Sequence, residues 1–92
     1  MVYAKIKAVG LVQGVGLRYF VYRNAIKLGV TGWVQNSRTS RDEVFIEVEG
    51  EEWQVEELIK QVKVGPTFSN VKNVIVEKLP YENKYKEFFI KE

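Results

Sequence analysis

The sequence predicts an α+β fold: a βαββαβ sandwich with two helices on one face of an antiparallel sheet and a short fifth C-terminal strand. Three observations carry this expectation. Apolar residues alternate through Val2–Val12 and again through Val44, Ile46 and Val48, the period of a half-buried strand. They recur at helical spacing in two stretches, Leu17 to Leu28 and Val55 to Val62. Glycine and proline then punctuate the joints, at Gly29, Gly50, Gly65-Pro66 and Pro80.

In the first strand, Val2, Ala4, Ile6 and Ala8 share one face, while Tyr3, Lys5, Lys7 and Val9 share the other. The small inner residues leave space for bulky side chains to pack on them. After a glycine loop, Leu17, Phe20, Val21, Ala25 and Leu28 form a helical stripe that Gly29 ends. Gly32 to Asn36 is the second strand, with Trp33 placed to pack on the sheet surface. Ser37 to Asp42 is a polar turn leading to a third strand antiparallel to the second. The second helix carries Val55, Leu58, Ile59 and Val62 inward, and Glu51, Glu52, Glu56 and Glu57 in its first turns suit its dipole. Val71 to Leu79 is the fourth strand and Tyr85 to Ile90 the fifth.

Two right-handed βαβ crossovers put both helices on one face, the ferredoxin-like arrangement. The first and third strands are then central neighbours. Lys5 and Lys7 would meet Glu47 and Glu49 on the open face, a supportive pairing of charges. The length suits one domain over residues 1–92, with no linker or repeat.

Composition narrows the chemistry. The chain has no cysteine and no histidine, which removes thiolate chemistry and both the commonest metal ligand and the commonest general base. Zinc sites and Ser-His-Asp or Cys-His arrangements are excluded. No metal site and no cofactor are expected. A net charge of +2 is too small to steer a polyanion by itself. No apolar run has the length of a membrane span, and Lys5 and Lys7 interrupt the only stretch that could resemble a leader, so a cytoplasmic location is expected. Abundant Glu and Lys with a single Met is a composition also met in thermophile proteins.

The stretch that carries chemistry is Gly10-Leu11-Val12-Gln13-Gly14-Val15-Gly16-Leu17-Arg18. Gly14 and Gly16 allow a tight loop whose N–H groups converge, and the first N–H groups of the following helix add partial positive charge. Arg18, at the helix start, supplies a planar fork of donors that matches phosphate or carboxylate. Together these residues describe an anion cradle. Two glycines in a βα turn are by themselves more often structural. The dinucleotide fingerprint fails at Tyr19, and no Gly-Lys-Ser/Thr sequence exists for a P-loop.

Val12-Gln13-Gly14-Val15-Gly16-Leu17-Arg18, followed by Gly32-Trp33-Val34-Gln35-Asn36, Gly65-Pro66 and Tyr85-x-x-Phe88-x-Ile90, resembles the acylphosphatases over nearly the whole chain. The resemblance implies a ferredoxin-like enzyme that hydrolyses acyl phosphates, without a metal, to a carboxylate and inorganic phosphate. It assigns phosphate binding to the backbone of Gln13, Gly14, Val15, Gly16 and Leu17 and to Arg18, and positioning of the attacking water to Asn36. It further implies a monomer whose partners are an acyl phosphate substrate and inorganic phosphate, as product and inhibitor, with no nucleic acid or membrane involved. Two positions depart from the family pattern: Leu17 stands where phenylalanine is usual, and the hairpin after Asn36 carries Arg38 and Arg41 in place of an Asp-Gly turn.

Two other uses of the fold compete. An RNA-binding sheet would present aromatics to bases; here Tyr3 and Phe45 share the open face with Glu47 and Glu49, which repel phosphates. A regulatory domain would hold a small anion without turning it over, a role against which Asn36 argues.

Overall fold

The computed structural model describes residues 1–92. Seven elements follow in order: β1 (Val2–Leu11), α1 (Leu17–Leu28), β2 (Thr31–Asn36), β3 (Glu43–Gly50), α2 (Glu52–Val64), β4 (Asn70–Leu79) and β5 (Phe88–Ile90). The strands form one sheet in the order β4-β1-β3-β2-β5. As expected, β1 and β3 are central neighbours, and β1, β2, β3 and β4 pair antiparallel.

The fifth strand differs from expectation in length and direction. It begins at Phe88 rather than Tyr85, and it pairs parallel with β2, so the sheet is mixed at that edge. The reason is topological. β4 ends beside the start of β1, where Leu79 pairs with Tyr3. From there the chain crosses to the opposite edge, and a strand that starts from the same end as β2 runs parallel to it.

One core holds the layers together. Ala4, Ile6 and Ala8 of β1 and Val44, Ile46 and Val48 of β3 face Leu17, Val21 and Ala25 of α1 and Val55, Leu58, Ile59 and Val62 of α2. The alanines of β1 are fully buried, which is the close approach their small size permits. Leu17 is fully buried too, so the departure from phenylalanine leaves an inward-facing apolar residue.

The open face is not the simple charge pairing the alternation suggests. Lys5 does stand opposite Glu47 in the β1–β3 register, but Lys7 pairs with Phe45 and makes its ion pair with Glu43, at 3.7 Å. Glu47 and Glu49 are claimed by the connection from β4 to β5. Glu49, only 1% exposed, accepts the backbone N–H groups of Glu82 at 2.9 Å, Lys84 at 2.7 Å and Tyr85 at 3.4 Å. Glu47 accepts the hydroxyls of Tyr3 at 2.6 Å and Tyr85 at 2.5 Å. Lys84 lies over the Tyr3 ring, 4.9 Å from its centroid, and Tyr3 is 1% exposed. The aromatic platform of a base-stacking sheet is therefore lost at Tyr3, whose ring is covered. No helix is long and apolar enough to cross a membrane.

Candidate active site

β1 delivers the chain into the loop at Val12, which is buried and anchors it. Gly14 and Gly16 hold φ of 74° and 83°. A Cβ built at either would meet nothing within 4 Å, so the backbone conformation, not crowding, demands glycine at both. Gly16 is also the N-cap of α1. It offers no side chain to the helix, and no acidic residue occupies the first turn. None of the loop and cap hydrogen bonds is donated by the backbone N–H groups of Gln13, Gly14, Val15, Gly16 or Leu17. A helix start without a capping acceptor leaves its positive end to whatever anion approaches.

The loop opens onto a cavity of about 320 Å³. Its walls bring together Gly14, Gly16, Leu17, Arg18 and, from the end of β2, Asn36. Arg18 is half-buried and takes part in none of the four ion pairs of the molecule. Asn36 Oδ1 is buried and has no hydrogen-bond partner among the protein atoms. A buried amide oxygen without a donor costs on the order of 1–3 kcal/mol, so an acceptor in this state calls for a donor in the cavity it faces. The arrangement offers backbone donors and a cation on one side and an amide on the other.

Two of the expected residues sit differently. Val15 packs against the core, and the side chain of Gln13 turns away from the cavity. Gln13 Nε2 donates to the carbonyls of Ser40 at 2.9 Å and Glu43 at 3.0 Å, with a long contact to Ser37 O at 3.4 Å. This side chain thus fastens the loop to the hairpin that follows Asn36.

Three further residues complete the cavity and were not foreseen: Tyr19, Ile90 and Glu92. Ile90 arrives because β5 runs beside β2, and the hydrogen bond from Lys91 N to Val34 O, at 2.8 Å, extends that alignment. Glu92 is held there through its carbonyl, which accepts from Gln35 Nε2 at 2.7 Å and from the guanidinium of Arg38 at 3.1 Å. Tyr19 follows Arg18 directly in the chain, which is the one sequence signal that could have found any of the three.

The strongly perturbed titratable groups lie elsewhere. Burial and the bond to Glu47 push the Tyr85 phenol up to about 12 and raise Tyr3 as well. They belong to the fastening of the β4–β5 connection and not to the cavity.

The acylphosphatase family model matches residues 4–90. The chain belongs to the acylphosphatase family. It is 44% identical to an acylphosphatase of Bacillus pumilus over 89% of each chain. It is likewise 44% identical to the acylphosphatase of Thermotoga maritima, over 95% of this chain and 93% of that one. The crystal structure of acylphosphatase from Bacillus subtilis superposes with a TM-score of 0.94 at 35% identity, covering all of both chains. As an acylphosphatase it is an enzyme that hydrolyses acyl phosphates, and the ferredoxin-like fold expected from its element order is the fold of its structural relatives.

Proposed function

We propose that the enzyme acts by in-line attack of a water held by Asn36 on a phosphoryl group held by Arg18 and the N–H groups of Gln13 to Leu17. The observation that carries this reading is the meeting, in one cavity, of an unpaired guanidinium and a buried amide oxygen without a partner. An acyl phosphate is already activated, because its leaving group is a stabilised carboxylate. The task left to the protein is to fix the phosphoryl group, offset the charge on its equatorial oxygens and orient a nucleophile.

Each residue then has a part. The loop N–H groups and Arg18 meet the phosphoryl oxygens, with Arg18 able to bind two of them at once. Asn36 Oδ1 accepts a hydrogen bond from the water and so directs an oxygen lone pair toward phosphorus. An amide is too weak a base to take a proton. As the new P–O bond forms and the bond to the acyl oxygen breaks, the water's proton passes to a phosphoryl oxygen, and the carboxylate leaves as an anion. No general acid is required, which suits a site without histidine. Because the cradle itself neutralises the phosphate, the proposal includes metal-independent turnover and competitive inhibition by inorganic phosphate. A monomer in the cytoplasm, acting on small acyl phosphates, completes the proposal.

The experiment is release of inorganic phosphate from benzoyl phosphate in the presence of EDTA. Turnover that inorganic phosphate inhibits competitively is the expected result. Activity that EDTA abolishes and magnesium restores would overturn the metal-free mechanism.

A further inference from the structure

The walls of the cradle cavity come from two directions. Asn36 ends β2, Ile90 pairs with β2 opposite Val34, and the Glu92 carbonyl is held by Gln35, so these three form one wall. Gly16, Leu17, Arg18 and Tyr19 belong to the start of α1 and form another. Among the side chains that line the cavity, only those of Tyr19 and Glu92 are exposed, which puts them at its mouth. The first is a ring and the second a carboxylate.

The Tyr19 ring is held in place although it is 59% exposed. It stacks on Tyr22, with centroids 6.2 Å apart and planes 24° apart, and the Arg23 guanidinium lies 5.8 Å from its centroid. Tyr22 in turn packs on Phe88 at 6.5 Å, and Phe88 is buried in the core. Three rings thus run from the core to the mouth of the cavity. An aromatic side chain anchored in this way, with more than half its surface open, presents a rigid apolar face to a ligand.

We infer that Tyr19 is a specificity-determining residue whose ring receives the acyl group and favours flat, aromatic acyl phosphates. The inference rests on the in-line reading above. In an in-line displacement the water and the departing oxygen stand on opposite sides of phosphorus. With the water at Asn36, the acyl group leaves away from the β2 wall and toward the α1 wall, whose one exposed side chain is Tyr19. An acyl group whose ring is coplanar with its carbonyl lies along that face in an offset stack, which gains more than area burial alone.

The test measures kcat/KM for benzoyl phosphate and for acetyl phosphate on each preparation. Their ratio does not depend on how much of a variant is folded, and comparing variants cancels the different intrinsic reactivities of the two substrates. From wild type to Tyr19→Ala the benzoyl-to-acetyl ratio is expected to fall roughly three- to tenfold, the scale of an aromatic pair. Tyr19→Phe keeps the ratio, because the ring and not the hydroxyl is used, and Tyr19→Leu loses most of it. An undiminished ratio in Tyr19→Ala overturns the contact, and an undiminished ratio in Tyr19→Leu overturns the selection of flat rings; both leave acyl phosphate hydrolysis intact. Ile90→Ala probes the other wall. A ratio that falls there and not in Tyr19→Ala puts the acyl group beside Asn36, and so overturns both this inference and the water at Asn36. Failure to release phosphate from either substrate overturns the hydrolytic reading itself.

Discussion

Gln13 Nε2 donates to the carbonyl of Ser40 at 2.9 Å, and that contact fastens the glycine loop to the hairpin after Asn36. In the proposed mechanism the placement of the loop amides relative to Asn36 then depends on a side chain that points away from the cavity. Gln13→Ala is expected to lower kcat more than it raises KM, because each half of the site survives but their relative placement loosens. The Ser40 carbonyl loses its donor, whereas that of Glu43 keeps the N–H of Ser37, so stability falls by about 1 kcal/mol. Urea denaturation and steady-state kinetics on benzoyl phosphate check both parts. A variant that raises KM alone would place Gln13 in substrate binding instead.

Arg18→Gln is expected to reduce turnover by roughly 10³-fold or more, the scale seen when a guanidinium is removed from a phosphoryl transfer site. Protection of the protein by inorganic phosphate against thermal unfolding should vanish with it. The fold should remain, since Arg18 is half-buried and makes no ion pair. Arg18→Lys should also fail, because an ammonium cannot reproduce two parallel bonds.

For Asn36 the expected signature is a split between binding and chemistry. Asn36→Ala should lower kcat by roughly 10²-fold or more while phosphate affinity stays near wild type. Asn36→Asp keeps the shape but sets a negative charge beside an anion, so it should weaken phosphate binding too. Near-normal kcat in Asn36→Ala would return the residue to a structural part at the end of β2.

The acid limb of stability should depend on Glu47. Burial pushes its carboxyl upward, but hydrogen bonds from Tyr3 and Tyr85 and the charges of Lys84 and Lys5 outweigh that effect, and it titrates below its ordinary value. A carboxyl depressed in the folded state binds fewer protons there than in the unfolded chain. Its contribution is thus complete above the unfolded value, about 4.3, and is lost as pH falls through the folded one. The stability gap between wild type and Glu47→Gln should accordingly narrow as pH is lowered from neutrality into the acid range. A gap that stays constant in urea titrations across that range would contradict it.

Much of this molecule was legible in the order of its residues. The alternation in β1, the stripes of α1 and α2 and the glycine joints name every element, and the Gly14–Gly16–Arg18 cradle with Asn36 is present as sequence before any fold is drawn. What was not legible shares one cause: each feature is a contact between segments distant in the chain. Glu47 and Glu49 look like partners for Lys5 and Lys7, yet the β4–β5 connection takes both. Tyr85 fits the pattern of a strand, but its hydroxyl is drawn to Glu47, and its backbone N–H to Glu49, before the strand begins. Ile90 and Glu92 enter the cavity only because β5 lies parallel to β2, a direction that periodicity does not encode.

The carboxylate of Glu49 has a consequence for how the molecule breathes. The residues between Leu79 and Phe88 carry no helix or strand, and segments of that kind ordinarily trade their amide hydrogens with solvent quickly. Here the amides of Glu82, Lys84 and Tyr85 end on one carboxylate rooted in the buried part of β3. Their hydrogens can leave only when these bonds open, so deuterium should enter this irregular segment more slowly than it enters a free loop, and Glu49→Ala should remove that protection.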